Sequence, residues 1–155
     1  MKPEKISEIL KQTEVFAPLP KELLTQLGEL SYPMAAEAGE VIIRKGDDGD
    51  SLYLITNGKV KVHDENQIVA ECGRGEIVGE LALLDRGPRS MNVTTLEPTS
   101  FLLINRETFF HLLKDRPDVT EKMIGLLTQR LRNQNLRLVE HFKQREEEMS
   151  RLVKE

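Results

Sequence analysis

The sequence predicts an α+β fold that is mainly β: an antiparallel sandwich or jelly roll with N-terminal helices and a long C-terminal helix. Between Gly39 and Asn105, short runs rich in valine, isoleucine, leucine and tyrosine are separated by glycines, which is typical of short strands joined by turns. On both sides of this region, apolar residues recur at helical spacing. The 155 residues therefore divide into an N-terminal helical segment (1–38), a β-roll (39–105) and C-terminal helices (106–155).

Two helices are expected in the N-terminal segment. Ile6, Ile9 and Leu10 share one face of the first helix. Pro20 fits the first turn of the second helix, where its missing N–H has no intrahelical partner to lose. The apolar face of the second helix comprises Leu23, Leu24, Leu27 and Leu30.

The β-roll segment is predicted from alternation and turn chemistry. Residues 59–63 alternate charged or polar with apolar side chains, as expected of a strand with one solvated face. The Asn57-Gly58 pair tolerates positive φ, which predicts a tight hairpin between the strands on either side of it. The expected strands are 41–45, 52–57, 59–64, 67–72, 92–97 and 100–104.

The C-terminal segment is predicted to be helical, with Asn105 as an N-cap and Pro117 opening a helix that runs to about Val153. A heptad assignment makes six of nine seam positions apolar and places Asn135 at a central a position, a residue that can fix a two-stranded register. This pattern predicts a homodimer through the helix. The a positions are Thr128, Asn135, Phe142 and Met149, and the d positions are Ile124, Leu131, Leu138, Arg145 and Leu152.

Composition argues against several classes of protein. The formal net charge of −4 argues against coating nucleic acid through bulk positive charge. No apolar run is long enough to predict a membrane span, and the N-terminus does not resemble a signal peptide, so a cytoplasmic location is expected. The lone Cys72 and three scattered histidines (His63, His111 and His141) predict no disulfide and no metal site. A cupin-type metal enzyme needs clustered ligands, so the chain is not expected to be an enzyme.

The segment from Gly79 to Val93 carries the most specific chemistry. A glycine turn leads into a short apolar helix, then a loop, an arginine and a strand. The helix start, Gly79 to Ala82, offers N–H groups to an anion, and Arg89 can donate two hydrogen bonds to a phosphate. Glu80, an anion itself, makes sense as an acceptor for a sugar hydroxyl. A ligand that carries both groups is a nucleotide.

These residues resemble the phosphate-binding cassette of the cyclic nucleotide-binding domain family, of the catabolite activator and kinase regulatory-subunit type. The resemblance is carried by Gly79-Glu80-Leu81-Ala82-Leu83 and Pro88-Arg89-Ser90, with similar upstream turns at 46–50 and 58–62. It implies a β-roll with its cassette at 78–93 that binds cyclic AMP or cyclic GMP, without a metal.

The resemblance also implies a role for each site residue. Gly79, Leu81 and Ala82 would offer backbone contacts to the phosphate, and Glu80 would accept from the ribose 2′-hydroxyl. Arg89 would neutralise the phosphodiester, and Ser90 would bond to phosphate or base. The helix residues Gln134 and Asn135 would reach the base. Met91 stands where the family usually has alanine and would crowd the base.

Alternatives remain open at this point. Arg89 pairing with Asp85, and Glu80 acting only on the helix dipole, are structural explanations for the same residues. Only 21 residues follow Gln134, too few for a helix-turn-helix, so no nucleic acid is expected to bind within this chain. The function predicted is a regulatory module that binds a cyclic purine nucleotide and repacks its C-terminal helix. The alternatives are a truncated activator-type transcription factor and a ligand-free dimerisation scaffold.

Overall fold

The structure, a computed structural model, describes residues 1–13 and 15–154. Residues 1–116 form one compact unit, and the residues from Pro117 onward form a second. The helices are α1 (Pro3–Lys11), α2 (Lys21–Glu29), α3 (Leu81–Leu84), α4 (Arg106–Leu113) and α5 (Pro117–Lys154). The strands are β1 (Tyr32–Ala36), β2 (Val41–Ile43), β3 (Ser51–Asn57), β4 (Lys59–Asp64), β5 (Gln67–Gly73), β6 (Ile77–Val78), β7 (Asn92–Thr95) and β8 (Thr99–Asn105).

The strands form two antiparallel four-stranded sheets, in the orders β1-β8-β3-β6 and β2-β7-β4-β5. The predicted jelly roll with flanking helices is confirmed. Strands distant in sequence pair with each other: Ala36 lies opposite Thr99, and Val41 opposite Thr94. Non-local pairing of this kind brings residues from both ends of the segment into one roll.

The core of the roll is built from inward-facing residues of both sheets. Ile55 of one sheet and Val60 of the other are fully buried, and both belong to a single apolar cluster with Phe101. Tyr53 packs edge-to-face on Phe101 with ring centroids 5.8 Å apart, a favourable aromatic geometry. Tyr53, which is partly buried, is thereby packed against the core of the roll.

The prediction of a hairpin at Asn57-Gly58 is wrong. β3 and β4 lie in different sheets, so the turn carries the chain from one sheet to the other. Gly58 has φ +104°, and a Cβ there would lie 2.5 Å from Thr99 Oγ1, so glycine is required both by its conformation and by close packing. The tight hairpin is instead β4–β5, where Asp64 and Gln67 flank a two-residue turn.

Two strands were not predicted. β1 lies within the segment 1–38 that was expected to be helical, and β6 has only two residues. Pro33 and two alanines give β1 a weak strand propensity, so its strand conformation depends on pairing with β8. Long-range pairing of this kind leaves no local pattern to detect.

The C-terminal predictions are confirmed at the level of secondary structure. Asn105 Oδ1 accepts a hydrogen bond from the Thr108 N–H at 2.9 Å and caps α4. Pro117 begins α5, which extends to Lys154. Six apolar seam residues of α5 are more than half exposed: Ile124, Leu131, Leu138, Phe142, Met149 and Leu152. Across the described residues, none of the helices is long and apolar enough to span a bilayer.

Candidate functional site

A cavity of about 370 Å³ opens into the roll of the first unit, within the range of small-molecule sites. All seven cassette residues predicted to bind ligand line it. They are Gly79, Glu80, Leu81, Ala82, Arg89, Ser90 and Met91. The structure therefore brings these residues together around one cavity, and their contacts with a ligand stay a prediction.

Arg89 is half-buried and bonded to main-chain oxygens. Its Nη2 donates to the Ser51 carbonyl at 2.7 Å and its Nη1 to the Gly79 carbonyl at 3.2 Å. Burial lowers the pKa of Arg89, an effect opposed by the nearby Tyr53 and Asp50. Across the described residues, no carboxylate lies within 4.0 Å of this guanidinium, so pairing with Asp85 does not occur. A half-buried cation without a carboxylate in direct contact favours the binding of an anion.

The chain beside Arg89 turns sharply at Gly79, whose φ of +77° suits only glycine. The single turn of α3 follows, and the Ala82 N–H donates back to the Gly79 carbonyl at 3.2 Å. The N–H groups of Glu80 and Leu81 have no protein acceptor within the described part of the chain. Two main-chain donors thus remain at the cassette beside a guanidinium.

Backbone hydrogen bonds fix the position of the Arg89 main chain. The Arg89 N–H donates to the Asp47 carbonyl at 2.8 Å, and the Gly46 N–H donates to the Arg89 carbonyl at 2.9 Å. The turn that follows β2 and the loop that precedes β7 are therefore held together. Residues 46–50 and 88–90, two separate segments that carry the family resemblance, therefore lie next to each other in the fold.

The remaining cassette side chains have different exposures. Glu80 and Met91 are half-buried in the cavity wall, and Ser90 is exposed. The Glu80 carboxylate makes no hydrogen bond or ion pair with any described residue, so its oxygens are available to a ligand donor. Met91, which stands where the family usually has alanine, is one of the lining residues.

Gln134 and Asn135 are not among the residues that line the cavity. Both lie on α5, in the second unit, and both side chains are exposed. Their predicted contact with the base stays a prediction.

Sequence reasoning missed the apolar wall of the cavity. Val62 of β4 and Cys72 of β5 are among its lining residues. The alternation at 59–63 placed Val62 on an inward face, but register with β5 was needed to bring Cys72 to the same wall. Burial, followed by the charges of Glu76 and Glu80, raises the pKa of the Cys72 thiol.

Within residues 1–13 and 15–154, no three His, Cys, Asp or Glu side chains lie close enough to hold an ion. The cavity instead combines an arginine, two free N–H groups and an apolar wall, a donor set suited to an organic anion.

A comparison with known protein families is consistent with a cavity that binds an organic anion. Residues 33–116, more than half of the chain, match the model of the cyclic nucleotide-binding domain. The chain belongs to this family. The matched region contains all eight strands except the first residue of β1, and it includes the whole cassette.

Among curated relatives, the chain is 27% identical over 140 residues to a CRP-like cAMP-activated global transcriptional regulator of Mycobacterium tuberculosis. The match covers 87% of this chain and 62% of the regulator. The domain therefore spans less than two thirds of the length of that relative.

Two solved structures resemble this cyclic nucleotide-binding domain closely. The N-terminal domain of a transcriptional regulator from Streptomyces coelicolor A3(2) matches with a TM-score of 0.70 and 31% identity, covering 82% of this chain and 92% of that one. The regulatory domain of Toxoplasma gondii PKA, crystallised with cAMP, matches with a TM-score of 0.64 and 32% identity, covering 73% and 45%. Both support the fold.

Proposed function

We propose that this chain is a regulatory sensor of a cyclic purine nucleotide, with cyclic AMP as the preferred ligand. The observation that carries the proposal is the half-buried Arg89, which faces a 370 Å³ cavity without a carboxylate partner. Two relatives, one described as cAMP-activated and one crystallised with cAMP, support cyclic AMP over cyclic GMP.

The cyclic phosphodiester would bind at the cassette. Arg89 uses two of its five N–H donors on Ser51 and Gly79, which leaves three for phosphate oxygens. The free N–H groups of Glu80 and Leu81 lie at the same turn. Charge-assisted hydrogen bonds from a partly desolvated guanidinium are strong, so most of the affinity would come from this corner of the cavity.

The sugar and the base would occupy the rest of the cavity. The uncommitted Glu80 carboxylate would accept a hydrogen bond from the ribose 2′-hydroxyl, and Ser90 would bond to phosphate or base. Val62, Cys72 and Met91 would face the purine with apolar surface. Gln134 and Asn135 would read the purine edge if α5 is brought to the base on binding.

Isothermal titration calorimetry tests this proposal. We expect saturable binding of cyclic AMP, weaker binding of cyclic GMP, and no binding of AMP, because its non-cyclic phosphate carries a second charge and a different shape. An absence of heat for both cyclic nucleotides at millimolar concentration would overturn the sensor and favour a ligand-free scaffold. The exposed Arg86, three positions before Arg89, provides the control variant Arg86→Ala.

The output of the sensor would pass through α5. Its exposed apolar seam supports a homodimer, because a single helix does not bury such a stripe by itself. Nucleotide binding would favour the state in which α5 packs over the base, a shift between two populations. This mechanism requires no covalent chemistry and agrees with a regulatory protein rather than an enzyme.

A second candidate is the sensor portion of a transcriptional regulator. It is supported by the name of the Mycobacterium tuberculosis relative, of which the chain spans 62%. The test is an electrophoretic mobility shift with the full reading frame, with and without cyclic AMP. A frame that binds no DNA under either condition would eliminate this candidate and leave the sensor proposal unaffected.

A further inference from the structure

Gly49 is required for a reason other than backbone conformation. It lies in the turn after β2 and is buried, and its φ is outside the left-handed region, unlike that of Gly46 in the same turn. A Cβ built on Gly49 would overlap Nε and Cζ of Arg89 and lie 2.7 Å from Cδ. The missing side chain of Gly49 therefore makes room for the guanidinium.

Gly79 makes room for the same group from another direction. A Cβ there would lie 2.6 Å from Arg89 Nη1 and 3.3 Å from Ile43 Cδ1. The guanidinium thus occupies a slot formed by Gly49, Gly79 and the carbonyl of Ser51, and we call this the arginine slot. Its two carbonyl acceptors, Ser51 and Gly79, receive Nη2 and Nη1.

The backbone on both sides of the slot is fixed. Hydrogen bonds between Gly46 and Arg89 and between Arg89 and Asp47 hold the two segments together, and Asp48 pairs with Pro88 across a β-bridge. A methyl group at position 49 cannot be accommodated by separating these segments without breaking that set of bonds. The side chain of Arg89 would rotate out of the slot instead.

We propose that Gly49 is a positioning residue that sets the direction of the Arg89 guanidinium and thereby the affinity for the cyclic phosphodiester. The proposal rests on the proposed function, because it assigns Gly49 to the same anion site. Gly49 touches no ligand itself and acts through Arg89. The three N–H donors not used by the slot carry the effect to the ligand.

The test is a double-mutant cycle with Gly49→Ala and Arg89→Ala. The matched control is Gly73→Ala, because Gly73 also has ordinary φ and its added Cβ would meet only the Gly58 carbonyl, at 3.7 Å. Titration with cyclic AMP should show at least a tenfold loss for Gly49→Ala and less than a twofold change for Gly73→Ala. In the Arg89→Ala background, Gly49→Ala should cause no further loss.

Melting temperatures without nucleotide provide a second reading of the same cycle. Gly49→Ala should lower the melting temperature when Arg89 is present and leave it unchanged when position 89 is alanine. Equal losses in both backgrounds, or wild-type affinity in Gly49→Ala, would overturn the role of Gly49. A wild-type chain that binds no cyclic nucleotide would overturn the proposed function, while the melting cycle still decides whether Gly49 positions Arg89.

Discussion

Arg89 Nη2 lies 2.7 Å from the main-chain oxygen of Ser51, so the cation of the cassette is held by a β-strand of the roll and not by an acid. A carboxylate partner would have to be displaced by an incoming phosphate, whereas a carbonyl leaves the positive charge uncompensated. The arrangement keeps Arg89 rigid and available at the same time. The first prediction concerns the removal of this group.

Arg89→Ala should weaken binding of cyclic AMP by about 30- to 1,000-fold, since the loss of a partly buried charge-assisted contact costs about 2–4 kcal/mol. Calorimetry would measure it, with Arg86→Ala as the control that should change affinity less than twofold. Arg89→Ala should also lower the melting temperature, because the Ser51 carbonyl loses its donor. Unchanged affinity in Arg89→Ala would contradict the assignment of the phosphate site.

Glu80→Gln should weaken cyclic AMP binding by roughly tenfold, because the amide keeps the shape but accepts a weaker hydrogen bond from the ribose hydroxyl. The same variant should lose little further affinity for 2′-deoxy cyclic AMP, which lacks that donor. Asp85→Asn, also at the cavity rim, is the control. Equal losses for both nucleotides would mean that Glu80 does not contact the 2′-hydroxyl.

Bound nucleotide should protect Cys72 from alkylation by iodoacetamide, since this residue lines the cavity wall.

Burial raises the pKa of the Cys72 thiol, so its reaction with iodoacetamide should accelerate at higher pH than the reaction of a free cysteine. The folded state favours the protonated form, and stability should therefore fall as pH rises above the pKa of the unfolded thiol. A labelling rate measured by mass spectrometry and unaffected by saturating cyclic AMP would place the ligand elsewhere.

Asn105→Ala should destabilise the domain by about 1 kcal/mol, the usual cost of losing an N-cap, because the Thr108 N–H loses its acceptor. Asn105→Asp keeps a capping oxygen and should stay close to wild type. Urea unfolding followed by circular dichroism measures both. Equal destabilisation of the two variants would assign the effect to something other than the cap.

Leu131→Glu combined with Leu138→Glu should produce a monomer, because both residues lie at d positions of the α5 seam and two buried charges are incompatible with a coiled-coil interface. Leu136→Glu is the matched control: Leu136 is 62% exposed on the same helix but lies off the seam. Sedimentation equilibrium distinguishes the states. A dimer that survives the double substitution would exclude this seam as the interface.

The sequence predicted which cassette residues lie together more completely than it predicted the sheets around them. Gly79, Glu80 and Arg89 could be assigned because their chemistry is local: a left-handed turn, a short helix and a cation near each other along the chain. Gly49 looked like an ordinary turn residue, since only the folded structure places it against a side chain forty positions away. The turn at Asn57-Gly58 was misassigned for the related reason that turn chemistry does not reveal which sheet the next strand joins.

The strand pairs of the roll are nested, from β4–β5 across a two-residue turn to β1–β8, whose partners lie at opposite ends of the β segment. Closing the longer chain loop costs more entropy. We therefore expect β1 to pair with β8 only after the transition state for folding. Ala35→Gly, in β1, should then speed unfolding in stopped-flow experiments and leave the refolding rate nearly unchanged. The pairing of β1 with β8 would then control the rate at which the roll unfolds.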